Sequence, residues 1–307
     1  MRKHELADTE YAIAQAAALD GDWWTLLIVR DVVVGLHRFD GLQAELGISR
    51  KVLAERLSSL VSSGVLEKRL YQARPPRYEY HLTRVGRGLV PVIVALQDWG
   101  SRYVMGDGSL TATSGRRSLE ARRVRRLVGS RVPKLTLSDA RGTRRDPVGD
   151  AAWTIIYCYP GAYASGDAYP VGWGEIPGAT GCTLESTTFR DRFDEFVRLG
   201  AQVVGVSTQH PEEQEAFAAK ARLPFPLLSD QELQLAAALR LPTFRADGSD
   251  RLKRLTLIVA ASREIWHVLY PVLDPHGSVD DALRLLERLQ RPRPHGETAP
   301  ESAKTPR

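Results

Sequence analysis

Apolar positions recur along this chain at two different spacings, and the balance between them changes near its middle. In the first hundred residues the helical period dominates. Segments 10–21, 23–35 and 38–47 each carry apolar residues on a helical stripe, and each stops at a glycine, Gly21, Gly35 or Gly47. Segment 49–64 repeats the pattern with Val52, Leu53, Leu57, Leu60 and Val61, between Ser49 as a candidate N-cap and Gly64. Segment 65–83 alternates apolar and polar on both sides of "ARPP", which predicts a β-hairpin with a basic, proline-rich tip. Segment 86–104 is a further amphipathic helix with Pro91 near its first turn.

Beyond residue 150, short apolar runs alternate with amphipathic segments. Strands are expected at 153–160, 201–208, 254–260 and 265–271, the last two pairing across "ASRE". Helices are expected at 190–200, 211–222, 230–240 and 278–290. This order predicts an α/β layer fold. The predicted architecture is therefore multidomain. Residues 1–108 form a helical unit with a hairpin, 109–129 a basic linker, 130–290 the α/β unit, and 291–307 a polar, disordered tail.

The charge sharpens this division. The chain has net +5, but residues 109–150 alone hold 11 Lys/Arg against 4 Asp/Glu. Such a stretch contacts a polyanion or is a solvated linker, and the linker is the expectation here. Two cysteines cannot make a disulfide framework, and with no signal-like start they fit a cytoplasmic protein. The longest apolar run, 89–96, is too short for a membrane span. Nothing in the Cys/His spacing suggests a metal, and no cofactor is implied.

Two short helices joined by "GIS" make a helix-turn-helix, whose second helix would place Ser49, Arg50 and Lys51 in a DNA major groove, with Arg56 one turn later. Arg74 and Arg77 on the hairpin tip would reach the adjacent backbone. The bland alternative is a solvated basic face. Residues 21–100 resemble the HxlR family of winged-helix regulators through "W-TLLI-RD", "RF--L", "GIS--VL--RL--L---G", "RPPR-EY-LT--G" and "L-P----L--WG". The resemblance implies a homodimer joined by its terminal helices and bound to a two-fold operator in double-stranded DNA. Trp23, Trp24 and Trp99 are then core or dimer packing. The cysteine that some members use for redox sensing corresponds here to Tyr11, and this half contains no cysteine.

Cys182, in "GCTLESTTFRD", falls in the first turn of a predicted helix, where the helix dipole favours a thiolate. A lone cysteine is also commonly a buried apolar filler. Residues from about 130 to 290 resemble peroxiredoxins of the PrxQ (bacterioferritin-comigratory) type on a thioredoxin-like α/β fold. "VPKLTLSDARG", "WTIIYCYP", "GCTLESTTFRD", "GVST", "LPFPLLSD" and "KRLTLIV" carry the likeness. It implies that Cys182 is the peroxidatic cysteine and Arg254 its activating arginine, with hydrogen peroxide or an organic hydroperoxide as substrate. Glu185 matches the family pattern and equally suits a first-turn acid.

Three departures stand out. The family threonine lies three residues before the cysteine, where this chain has Ala179; Thr180 is the nearest substitute. The usual resolving position is Thr187. Loop 161–180 is unusually long; a loop of this length is either disordered or functional, in which case it would cap the site or receive substrate. Cys158 is expected to be core packing, with resolution of a Cys182 sulfenate as its alternative role. Otherwise recycling needs an external thiol reductant. His210 and His267 lie in no catalytic arrangement. The combined expectation is a DNA-binding regulator with a fused peroxide-sensing or peroxide-reducing domain. The alternatives are a thiol peroxidase that its winged helix merely targets or autoregulates, and a regulator with a degenerate redoxin domain.

Overall fold

The computed structural model of the chain describes residues 12–20, 23–163 and 169–290. Tyr11 and the 291–307 tail lie outside them. The N-terminal unit comprises α1 (Ala12–Asp20), α2 (Trp23–Val34), α3 (Phe39–Leu46), α4 (Arg50–Ser62), the antiparallel hairpin β1 (Leu66–Ala73) and β2 (Pro76–Leu82), one-turn α5 (Arg84–Arg87) and α6 (Val90–Trp99). A π-turn, Gly100–Val104, extends α6. Gly47 ends α3 at φ 62°, a left-handed conformation that glycine adopts without strain. Ser49 then caps α4, its hydroxyl accepting from Val52 N at 3.3 Å. Ile28, Val32, Leu42, Leu53, Leu57 and Leu66 form the buried centre of this unit.

The connecting segment carries α7 (Leu119–Arg125). The second unit follows with β3 (Leu137–Asp139), β4 (Arg144–Arg145), β5 (Trp153–Cys158), α8 (Cys182–Asp191), α9 (Phe193–Arg198), β6 (Ala201–Ser207), α10 (Pro211–Ala221), β7 (Leu227–Ser229), α11 (Gln234–Ala238), the hairpin β8 (Thr243–Ala246) and β9 (Ser249–Leu252), β10 (Leu255–Ala260), β11 (Ile265–Leu269) and α12 (Gly277–Gln290). The main sheet has the order β11-β10-β5-β6-β7-β3-β4. Strands β5, β6 and β7 are parallel neighbours, and β10 and β11 pair antiparallel as their flanking turn suggested.

Both faces of this sheet are covered, so its central strands are apolar on both sides. Alternation along β5 sends Ile155 and Tyr157 to one face, where Phe189, Phe196, Phe217 and Leu283 pack. It sends Ile156 and Cys158 to the other, against residues of α7 and α11. Val90 and Val94 of α6 join that second core, so the N-terminal unit docks on the sheet side opposite α8. Polar contacts fix the docking. Gln97 donates to Leu241 O at 2.9 Å, and Arg240 bonds the fully buried Asp31 of α2 at 2.9 Å. Arg30 makes a second, two-pronged contact to the same carboxylate. A buried carboxylate is tolerated only with such partners.

The basic segment differs from the solvated linker expected of it. Ala112, Ala121 and Val124 are fully buried. Arg123 of α7 bonds Arg240 O, and residues 129–132 lie along β11, with Gly129 N to Ile265 O at 2.8 Å and Ile265 N to Ser130 O at 2.9 Å. Arg116, Arg117, Arg122, Arg125 and Arg126 are exposed around a small apolar stripe that the charge count conceals, while Arg123 is half-buried against the second unit.

Candidate functional site

The thiol centre is assembled by three elements. Gly181, at φ 95°, turns the chain into α8; a Cβ there would lie 2.8 Å from Pro275, so the turn needs glycine. Cys182 is the first residue of α8 and is 3% exposed. Its sulfur lies 3.1 Å from Arg254 Nη2 and 3.4 Å from Ala179 O. Arg254, just before β10, is itself buried; Nη2 also donates to Thr180 O at 2.9 Å. Its other arm bonds Glu185, one turn into α8 and fully buried. Ser278, at the start of α12, donates to Glu185 Oε1 at 3.3 Å. Burial works against the Arg254 charge, but Glu185 and the Cys182 sulfur more than offset it and hold its pKa above the ordinary value. The Arg254 cation and the helix N-terminus both direct positive charge at the sulfur and at the place where a developing oxyanion would sit.

Sequence reasoning placed Cys182 and Arg254 together, and they are together. It left Glu185 undecided, and Glu185 is the anchor of the arginine. Thr180 reaches this cluster through its carbonyl; Ala179, at the family's threonine position, is buried. Thr187 bonds back to Thr183 O at 2.9 Å within α8. Cys158 is fully buried across the sheet from Cys182, and burial pushes its thiol far above the usual range. His210 caps α10. The long loop is anchored by Gln209, which bonds both N and O of Ala162, and it packs Trp173 against Ala112, Ala179 and Phe244.

The second candidate surface lies on the N-terminal unit. Ser49, Arg50, Lys51, Arg74 and Arg77 are exposed, and Arg56 is half-buried. Arg50 is steered by Asp40 at 3.1 Å and Gln43 at 3.0 Å, and it covers the Phe39 ring. Between α3, the start of α4 and the hairpin lies a cleft of about 770 Å³, whose walls include Arg38, Arg50, Arg77, Tyr71 and Tyr78. Arg38 stacks over Tyr71 at 4.4 Å and Lys68 over Tyr78 at 4.9 Å. These cation–aromatic pairs were overlooked in the sequence, although basic and aromatic residues interleave there.

Comparison with known proteins follows the same division. Residues 19–107 match the HxlR-like helix-turn-helix model, and residues 176–268 match the AhpC/TSA family model. Residues of this chain are 30% identical over 169 positions to chloroplastic peroxiredoxin Q of Populus jackii, covering 52% of this chain and 68% of that protein. The chain belongs to both families, one in each half.

An uncharacterized HTH-type transcriptional regulator of Mycobacterium tuberculosis is 42% identical over 93 residues, 30% of this chain. The match spans 59% of that regulator's length. The crystal structure of peroxidoxin BcpB from Mycobacterium tuberculosis aligns with a TM-score of 0.44 and 27% identity over 53% of this chain and 97% of that one. The two family matches and the peroxiredoxin Q relative, together with the sheet order described above, give the protein an N-terminal helix-turn-helix unit and a C-terminal thioredoxin-like fold of the peroxiredoxin type. No described helix is long and apolar enough to cross a membrane.

Proposed function

We propose that this chain is a peroxide-responsive, DNA-binding regulator in which Cys182 is the peroxidatic thiol and Arg254 stabilises both the thiolate and the leaving oxygen. The Cys182 thiolate attacks the terminal peroxide oxygen and the O–O bond breaks. A sulfenic acid forms, and the departing oxygen takes a proton to give water or an alcohol. Ser49, Arg50, Lys51 and Arg56 would read or grip DNA, with Arg74 and Arg77 on its backbone.

One observation carries the link between thiol and DNA. The segment that leaves the N-terminal unit is stitched to the turn that holds the thiol. Ala112 N donates to Pro177 O at 2.9 Å, and Thr111 Oγ1 donates to the same oxygen at 3.3 Å. Gly178 lies so close to Thr113 that a Cβ would sit 2.8 Å from the threonine Cβ. One residue further on, Ala179 O lies 3.4 Å from the Cys182 sulfur. Oxidation adds an oxygen to that sulfur, which would crowd Ala179 and so move residues 110–113, a few residues from the end of the α6 extension.

That extension supports the homodimer. Val92, Leu96, Trp99 and Tyr103 are 44–54% exposed and recur at helical spacing, an apolar stripe suited to a second copy of itself. With Cys158 behind the sheet, the sulfenate is reduced by an external thiol. A reducing, cytoplasmic setting suits this chemistry.

The test compares binding to a two-fold operator with and without peroxide, in wild type and Cys182→Ser. Loss of the peroxide response in the variant is expected; equal responses in both overturn the reading. The completeness of the Arg254–Glu185 anchor favours a second reading, a working thiol peroxidase. Sustained peroxide turnover with thioredoxin or another thiol, and no change in operator binding, would select it.

A further inference from the structure

A second cleft, of about 320 Å³, lies where the two units meet. The hairpin, α2 and the start of α6 bound it on one side; residues 133–135 and α11 bound it on the other. Its apolar lining is continuous with the second core: Val90 belongs to that core, and Val33, Leu82 and Leu135 pack against it. Its charged and titratable lining is of one kind. Arg69, Arg87 and Lys134 line the cleft with His37 and His81, and no carboxylate does so among the described residues.

Little in the surroundings neutralises this cluster. Arg69 turns to Glu67 on its own strand at 3.0 Å. His81 Nε2 lies 3.5 Å from Glu79, but Arg38 already engages that carboxylate at 2.9 Å. Arg87 donates to Leu82 O at 3.0 Å, and among the described residues no ion pair reaches Arg87 or Lys134. The two imidazoles stack with centroids 4.3 Å apart and planes 28° from parallel. His37 Nδ1–H donates to Tyr80 O at 3.0 Å, so its neutral ring keeps Nε2 as a bare acceptor. Burial, then His81 and least Arg69, lower the His37 pKa against the opposing pull of Tyr80 O and Glu79. Like charges gathered beside an apolar wall repel one another, and an anion placed among them reverses that cost.

We propose that this cleft is an effector site for a small organic anion, a carboxylate on a compact apolar body, held between the two units. Arg87 from the first unit and Lys134 from the second would take the carboxylate through charge-assisted hydrogen bonds. The apolar lining and the flat face of the stacked imidazoles suit the body, which separates this class from inorganic phosphate. The cleft lies on the sheet side opposite α8, so it is a second input, distinct from the thiol and independent of the peroxide reading. A ligand that touches both units favours the docked arrangement over any other.

The test titrates the reduced full chain with 1-naphthoate and with its uncharged counterpart, 1-naphthalenemethanol, by isothermal calorimetry. One naphthoate per chain is expected, bound at least about tenfold more tightly than the alcohol. Arg87→Glu and Lys134→Glu should each weaken naphthoate about tenfold and leave the alcohol within about twofold. Arg198→Glu makes the same charge change on α9, across the sheet, and should alter neither. All three residues are exposed, so the variants are expected to fold. Naphthoate should also slow amide exchange both in the hairpin and at residues 133–135. Equal affinity for acid and alcohol in wild type, or equal weakening by all three variants, overturns the site. Protection confined to one unit overturns the bridging. Displacement of naphthoate by an equal concentration of inorganic phosphate assigns a bare-anion site and overturns the organic class. If Lys134→Glu weakens binding to random-sequence duplex DNA but not to naphthoate, the cluster serves the DNA backbone and the proposal fails.

Discussion

Cys182 and Cys158 are both buried cysteines of one domain, yet they occupy opposite chemical environments. Cys182 opens a helix and faces an arginine at 3.1 Å. Cys158 ends a central strand among aliphatic side chains, and burial, with Asp230 and Glu185 adding repulsion, keeps its thiol protonated. Burial alone therefore decides nothing about reactivity. What differs is whether the buried sulfur has a cation and backbone dipoles that favour its charged form.

The largest expected effect tests that contrast directly. Cys182→Ser should abolish peroxide-dependent sulfenate formation, whereas Cys158→Ala should leave its rate within about twofold of wild type, since it removes no group at the reacting atoms. Trapping of sulfenate followed by mass spectrometry of both cysteine peptides checks this; oxidation appearing first at Cys158 would reverse the comparison.

Removing the cation should make Cys182 behave more like its counterpart. Arg254→Met is expected to lower the oxidation rate about 100-fold, the scale of losing one oxyanion donor. It also strands buried Glu185, at a cost of about 3–5 kcal/mol by chemical denaturation. Adding Glu185→Gln should restore much of that stability without restoring the rate. Joint recovery of both would mean that Arg254 acts only as packing.

A third test addresses the far face. Asp230 accepts from Leu235 N at 3.0 Å and Ala236 N at 2.8 Å, at the start of α11, yet burial raises its pKa to about 7. Between the ordinary carboxylate value and that point, the folded state holds more protons than the unfolded state. Stability should therefore fall as pH rises from about 4 to 7, by roughly 2–4 kcal/mol from this group. Asp230→Asn should flatten that part of the profile. An unchanged slope in the variant would assign the pH dependence to other groups. The smallest expected change is in the stability of Cys158→Ala, about 1 kcal/mol for the lost buried sulfur, read from the denaturation midpoint.

Much of this contrast was written in the sequence, and some was not. Alternation in "WTIIYCYP" already separates Tyr157 from Cys158, but it does not say which face meets α8. The cap at Ser49, the hairpin around "ARPP" and the helix start at Cys182 were legible because each rests on local chemistry. Val90 and Val94 read as an apolar face, yet nothing local reveals that a second domain covers it. The Trp173 cluster was hidden for the same reason: it joins residues 112, 173, 179 and 244, which no periodicity connects. The segment 109–129 misled because its arginines outnumber the few small residues that are buried.

Residues 129–132 leave one practical consequence. They run beside β11, the outer strand of the main sheet at that end. A shortened chain that begins at Pro133 would keep the thiol helix and its arginine but leave the Ile265 amide and carbonyl, at the start of that edge strand, without these partners. Such an edge recruits strands from other copies. The excised domain is thus expected to associate edge to edge and to lose material from solution, even though every group around Cys182 is still on the chain.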